Sequence, residues 1–206
     1  MLNHQGFDLW ADGYDQSVGL SDEEDTYPFA GYRDVLNTIY NEVLRVPGAC
    51  VLDIGFGTGT LTARLYAQGC RVWGMDFSAR MIALAQPKMP GATLVQGDFT
   101  RGLPEALRAN TYDFIVATYA LHHLTDAQKV DFIRQLIACL RPGGKVLVGD
   151  VAFETRAQLE ACAAASGEEW DEEEIYFVYE EIARCFDGCV RFERLSHCAG
   201  VLTWEA

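Results

Sequence analysis

The stretch VLDIGFGTGTLTARLYAQGCRVWGMDFS, Val51 to Ser78, contains a complete structural unit. An apolar, β-branched run ends in Asp53. Gly55, Gly57 and Gly59 then alternate with Phe56 and Thr58. Helical apolar spacing follows over 60–69, and a second apolar run ends in Asp76. Short β-branched runs bounded by Gly or Asp read as strands, and the segment between them reads as a helix. Glycines in the connecting loop let the backbone take positive φ and approach a ligand without a Cβ clash.

The same alternation continues outward. Residues 50–55, 71–76, 93–98, 112–119 and 145–153 read as strands, with helices between them. Ser78 and Thr125 are expected N-caps, and Gly69 and the RPGG at 141–144 are stop signals. Such alternation implies a parallel sheet covered on both faces. Two helices, 6–18 and 29–45, are expected before the first strand, and two more, 154–166 and 171–186, after the fifth. The tail reads as two strands, CVRFERLSH and GVLTWEA, meeting around Ala199-Gly200 in an antiparallel hairpin at a sheet edge.

Composition bounds the function. A chain of 206 residues, half of them hydrophobic, builds one domain with a sizeable core. No apolar stretch is long enough to span a bilayer, and the amino terminus lacks a secretory pattern. The net charge of -14 argues against broad binding to the phosphate backbone, although a local basic patch could survive it, and no DNA or membrane partner is expected. Seven cysteines, an odd number without a short-range framework, suit reduced thiols in a cytoplasm. Cys185, Cys189, His197 and Cys198 are the right residue types for a metal site, but their spacing lacks the usual ligand pairs, so small buried thiols are expected and no metal. The acidic runs SDEED at 21–25 and GEEWDEEE at 167–174 read as solvated loops or helix starts.

The glycine loop lies where nucleotides bind in doubly wound sheets. Asp76, ending the second strand, is placed to accept from two ribose hydroxyls, which points to an adenosine-bearing ligand. A dinucleotide loop wants G-x-G-x-x-G around a pyrophosphate. Here Thr60 stands at the third-glycine position, and Asp53 beside the loop suits a cationic ammonium better than a pyrophosphate. S-adenosylmethionine carries such an ammonium. Asp98, ending the third strand, is placed to accept from an adenine amino group, with Phe99 alongside. ATYALHHLTD follows the fourth strand beside the same crevice.

The chain resembles the class I S-adenosylmethionine-dependent methyltransferases of the small bacterial kind. The resemblance rests on VLDIGFGTGTLT, GMDFSARMIALA, GDF, YDFIVATYALHHLTD and LRPGGKVLVGD, with FDLWADGYDQSV and FAGYRDVL similar to that group's cap helices. It implies a Rossmann-like α/β fold: a seven-stranded, mostly parallel sheet of order 3-2-1-4-5-7-6, the last strand antiparallel, with helices on both faces and an N-terminal helical cap. The domain would divide into a cap at 1–46, a cofactor-binding core at 47–153 and a helical insertion with C-terminal hairpin at 154–206. The resemblance also implies cofactor contacts. Gly55, Gly57 and Gly59 would approach the methionine part, and Asp53 would order the loop or meet the ammonium. Asp76 and Phe77 would lie at the ribose, Asp98 and Phe99 at the adenine, and Thr118 and Tyr119 at the end of the fourth strand. Tyr14 and Arg33 would close over the cofactor, Arg33 being suited to its carboxylate.

If the acceptor must lose a proton, His122 and His123 are the candidate bases, since imidazole titrates near neutral pH. In LHHLTD either could instead cap or pack. Asp150, ending the fifth strand, is a candidate for substrate contact or for a cap. Trp10, Phe153, Trp170 and Tyr176 are candidate lining residues for the acceptor pocket, though aromatics at helical spacing are ordinarily core. The expected reaction is methyl transfer to a small molecule, the acidic runs tolerating an amine better than an anion. A protein or RNA methyltransferase, a non-catalytic cofactor sensor and an NAD-linked oxidoreductase are the competing readings. The sequence leaves the acceptor atom and the oligomeric state open, a homodimer included.

Overall fold

The computed structural model describes residues 26–206. Five parallel strands form the centre: β1 (Cys50–Ile54), β2 (Arg71–Asp76), β3 (Thr93–Gln96), β4 (Tyr112–Thr118) and β5 (Leu140–Phe153). The tail adds β7 (Val190–Arg194) and β8 (Ala199–Glu205), and the main path runs β3-β2-β1-β4-β5-β8-β7 with β8 antiparallel to both neighbours. This is the expected order with one addition. The two-residue strand β6 (Phe177–Val178) pairs in parallel with the end of β5, making eight strands among the described residues rather than seven.

The central strands are apolar at nearly every position because helices cover both faces. Along β4, Phe114 and Val116 face one core, and Ile115 and Ala117 face the other. The first core takes helices α1 (Tyr32–Val43) and α2 (Thr60–Ala67) and, through Ala85, α3 (Ala79–Ala85). The second takes α4 (Glu105–Arg108) through Leu107 and α5 (Asp126–Ile137) through Phe132, Ile133 and Leu136. Ser78 caps α3 and Thr125 caps α5, the latter in a full capping box with Gln128. Among the described residues no helix is long and apolar enough to cross a membrane.

Helix α1, expected as part of a cap, lies flat on the sheet. A Cβ on Gly149 of β5 would stand 2.3 Å from Val35 Cγ1 and 2.9 Å from Ile39 Cδ1, so the glycine admits the helix at close range. The other expected cap helix, 6–18, lies outside the described residues, as do Trp10 and Tyr14.

Three expectations fail for identifiable reasons. The RPGG at 141–144 does not precede β5 but belongs to it, because a register shift between Tyr112 and Phe114 absorbs it as an irregularity of the ladder. The hairpin turns at 195–198, where Leu195 and Ser196 both donate to the Ala199 carbonyl, and not at Ala199-Gly200. Gly200 instead lies within β8, where a Cβ would come 2.4 Å from the Phe192 ring. Finally, 171–186 is not one helix. After α6 (Arg156–Ser166) the chain runs through a turn and β6 before the single turn α7 (Tyr179–Ile182) and a 3-10 turn, Ala183–Phe186. Tertiary partners take the backbone groups a helix would have used. Ile175 N donates to the His122 carbonyl at 2.8 Å, and the Ile175 carbonyl accepts from buried Lys129 Nζ.

Candidate active site

The glycine loop leaves β1 at Gly55, whose N–H donates to the Met75 carbonyl of β2 at 2.7 Å. Gly55, Gly57 and Gly59 all have positive φ, at 70°, 57° and 82°. The first and second differ sharply in surroundings. A Cβ on Gly55 would stand 2.5 Å from Ala120 Cβ, whereas one on Gly57 would meet nothing within 4 Å. Gly55 is thus packed against the loop after β4, and Gly57 presents an open side.

Asp76, at the end of β2, is nine-tenths buried. Its Oδ2 accepts from Gly57 N at 2.8 Å and its Oδ1 from Ser78 N at 2.9 Å. The carboxylate therefore ties the glycine loop to β2 and to the start of α3. That organising role adds to any part it has toward a ligand.

Asp53 is 1% exposed. Its Oδ2 accepts from Thr62 Oγ1 at 2.5 Å, while among the described residues no donor reaches Oδ1. Burial pushes this carboxyl up to about 7; Thr62 pulls it back somewhat, and the nearby Asp76 charge adds to the rise. A buried carboxylate oxygen without a donor is costly, and it suits a site where a cation or water completes the set.

Further residues expected at the cofactor are brought to the same edge of the sheet. Asp98 caps the 3-10 turn Phe99–Arg101, accepting from Thr100 N at 2.9 Å, and faces Arg101 Nε at 3.3 Å. The Phe99 ring lies tilted beside that of Phe132, 6.2 Å between centroids. The Phe77 carbonyl accepts from Gln96 Nε2 at 3.2 Å, and Thr118 pairs with Gly149 at the end of β4. Tyr119 takes φ 49°, anchors its N–H on the Gly149 carbonyl at 2.8 Å and lays its ring 5.3 Å from Phe29 and 5.2 Å from Tyr32. Arg33 sits exposed on the first turn of α1.

A second polar group begins two residues after Ala120. His122, in the 3-10 turn Leu121–His123, is buried and places Nδ1 2.6 Å from Asp150 Oδ1. Asp150 is fully buried and also accepts from Val151 N at 2.8 Å and Leu121 N at 3.2 Å. It is the orienting partner of a histidine, a role different from the substrate contact or cap expected for it. The His122 Nε2 faces Glu174 Oε1 at 3.4 Å. Burial pulls the His122 pKa down, but the Asp150 and Glu174 carboxylates outweigh it and leave it above the ordinary value. His123, its ring 4.3 Å away, is brought down to about 4 by burial and by His122. The two imidazoles are thus driven apart by their surroundings.

Glu174 was not expected here, since the acidic run at 167–174 read as solvated. Residues 168 and 169 and 171–173 are exposed, but Glu174 turns inward. Tyr176 Oη donates to its Oε2 at 2.8 Å, and Tyr27 Oη bonds Tyr176 Oη in turn. Trp170 stacks on Tyr27 at 5.0 Å and meets Tyr176 edge-on at 4.9 Å, and Phe153 lies 6.4 Å from Trp170, so three of the four candidate lining residues gather here. Burial raises the Glu174 carboxyl. The only hint in the sequence is the apolar Tyr176-Phe177-Val178, which follows the acids without a linker.

Comparison with known proteins agrees with this architecture. The model of a methyltransferase domain matches residues 51–144. An uncharacterized methyltransferase of Anoxybacillus flavithermus (strain DSM 21510 / WK1) is 40% identical over 158 residues, covering 77% of this chain and 71% of that one. One from Geobacillus sp. (strain WCH70) is 42% identical over 151 residues, 73% and 68% of the two chains. The solved magnesium protoporphyrin IX methyltransferase of Synechocystis PCC 6803, with bound S-adenosylhomocysteine, shares the fold at a TM-score of 0.67 and 19% identity, over 85% of this chain and 83% of that one. The glycine loop, the strand order and these relatives lead to one conclusion: the chain belongs to the class I S-adenosylmethionine-dependent methyltransferases.

Proposed function

We propose that the protein methylates a small molecule, bound between the glycine loop and the His122–Asp150 pair. The observation that carries this reading is the contact of Gly55 with Ala120. It sets the loop expected to hold the cofactor directly against the turn that carries both histidines. S-adenosylmethionine, when bound, supplies a methyl group made electrophilic by its sulfonium. The residues present fit it. Gly57 offers an open backbone side, and Asp53 offers a buried oxygen in want of a donor, suited to the ammonium directly or through water. Asp76, Phe77, Asp98, Phe99, Thr118, Tyr119, Gly59 and Arg33 complete the proposed set, with Tyr14 outside the described residues.

On the acceptor side the chain's task is placement and exclusion of water. Positioning alone can lower a barrier by roughly 7–11 kcal/mol in favourable cases. In this reading two aromatic clusters supply the walls, Phe29–Tyr32–Tyr119 and Tyr27–Trp170–Tyr176. Where the acceptor must lose a proton, the group His122, His123 and Glu174 promotes the loss. Seven free thiols accord with a reducing cytoplasm. Incubating the protein with methyl-labelled cofactor and metabolite pools tests the reading. Label captured in a small-molecule product supports it. Label found only in protein or RNA, or no transfer despite tight cofactor binding, overturns it in favour of the corresponding rival. Calorimetry should show S-adenosylhomocysteine binding and no NAD binding; tighter NAD binding would overturn the cofactor assignment.

Two further outcomes follow from the loop. Both Gly57→Ala and Gly55→Ala force a side chain into positive φ, costing about 1–2 kcal/mol. Gly55→Ala also drives a methyl into Ala120, so it should lower the melting temperature clearly more than Gly57→Ala. Gly57→Ala should instead lose S-adenosylhomocysteine affinity while still melting cooperatively. Equal melting of the two variants with equal affinities would contradict this division.

The second outcome concerns protons. With Asp53 at about 7 when folded against a reference of 3.8, the folded state binds the extra proton between those limits. The Asp53 contribution to stability therefore declines as pH rises from about 4 to about 7 and is level above that. A cationic ligand favours the carboxylate, so cofactor binding at pH 6 should release a proton and strengthen toward pH 7. Calorimetry in two buffers of different ionisation enthalpy measures this. The buffer dependence should vanish in Asp53→Asn, and equal dependence in that variant would assign the proton elsewhere.

A further inference from the structure

We propose that His122, His123 and Glu174 form a binding site for a divalent transition-metal ion of the zinc class, with an open position for an oxygen of the acceptor. The inference rests on the reading that this group faces the acceptor, and it names what prepares that acceptor. The three ligand atoms, one per residue, lie within 4.8 Å of one another. The His122 Nε2 to Glu174 Oε1 separation of 3.4 Å is longer than the roughly 2.7–2.9 Å of a charge-assisted hydrogen bond. It equals the edge of a tetrahedron around an ion with bonds of about 2.0–2.2 Å. The third ligand, His123, lies within 4.8 Å of the others and must approach by up to about 1.4 Å to close the same figure.

Two of the three ligands, His122 and Glu174, are held from behind, as ligands of a metal ordinarily are. Asp150 Oδ1 takes the Nδ1 of His122 at 2.6 Å, directing Nε2 toward Glu174. Tyr176 Oη occupies Glu174 Oε2 at 2.8 Å, which turns Oε1 toward the histidines. The backbone beside Glu174 is fixed at both ends, by the His122 carbonyl and by Lys129. Two imidazoles and one carboxylate suit zinc or a similar borderline ion, and three protein ligands leave a position for a fourth. A hydroxyl or enol oxygen in that position gives up its proton to solvent at lower pH than in water, and becomes the better nucleophile. The acceptor class is therefore a small molecule bearing a hydroxyl or enol. Glu174 and Asp150 neutralise the ion.

Cys185 and Cys189 are exposed, not buried as expected, and thiols are a ligand type zinc favours, so the test uses a Cys185→Ser, Cys189→Ser background. The metal-stripped protein is titrated with Zn²⁺ by calorimetry and with Co²⁺ by visible absorption, and S-adenosylhomocysteine affinity is measured in parallel. One equivalent of Zn²⁺ should bind, and Co²⁺ should give the intense bands of a four- or five-coordinate nitrogen–oxygen site. Glu174→Gln and His123→Asn should each weaken metal binding at least tenfold with S-adenosylhomocysteine affinity unchanged. Asp150→Asn, which removes no ligand, should weaken it by about 10–100-fold. Metal binding untouched by Glu174→Gln and His123→Asn, or absent from a protein that still binds S-adenosylhomocysteine, overturns the metal site. Either result leaves the methyltransferase reading intact.

Discussion

Asp76→Ala is expected to fold and to bind S-adenosylhomocysteine at least tenfold more weakly than the parent protein. A hydrogen bond to a charged group is worth about 1.5–3 kcal/mol, and each 1.4 kcal/mol is a factor of ten. The structure enlarges the expected effect. Besides any ribose contact, the carboxylate holds Gly57 N and Ser78 N, so its removal frees the glycine loop and uncaps the approach to α3. The loss should therefore combine a missing ligand contact with a loop that must be ordered on binding. Asp76→Asn separates the two. Its amide oxygen can still accept from one of the two backbone donors, so its affinity should fall between parent and Asp76→Ala. Calorimetry with a parallel melting curve checks both. Unchanged affinity in a folded Asp76→Ala would remove the residue from the site.

His122→Asn is expected to lower turnover by about 10²–10⁴-fold while cofactor affinity stays nearly constant. This is the largest catalytic effect the geometry supports. The fold should survive, because Asp150 keeps two backbone donors, Val151 N and Leu121 N. Asn is also short and polar enough to donate toward the same carboxylate. A moderate fall in melting temperature is expected, since the histidine is buried and its ring packs near His123 and Tyr176. His123→Asn should cost less stability, being less buried. Turnover, cofactor affinity and melting are measured together on each variant once an acceptor is identified. Parent-like turnover in both folded variants would end the assignment of proton handling to this pair and leave placement as the main contribution. Loss of stability with turnover per folded molecule unchanged would make the pair structural.

The histidine turn shows how far a sequence reading reaches. LHHLTD displayed two imidazoles after β4 and Thr125 as a cap, and the structure has both. Which histidine is buried and paired was open, because that depends on Asp150, 28 residues on. Glu174 was misread for a similar reason. An acidic run ordinarily stays in water, and only a neighbour fixed by Lys129 and the His122 carbonyl turns its last member inward. The eighth strand was missed because two residues have no period to read. The hairpin turn was misplaced because Gly200 signals a turn, while its actual task is to admit the Phe192 ring.

By itself the sequence determined the strand–helix alternation, the position of the glycine loop and the caps at Ser78 and Thr125. Those features rest on side-chain periods and backbone preferences that act within a few residues. The tertiary structure alone decided that Asp76 braces the glycine loop, that Gly55 is closed while Gly57 is open, and that Glu174 joins His122. Each depends on where distant segments meet once the sheet has set their register, and burial then fixes which polar atoms must find one another.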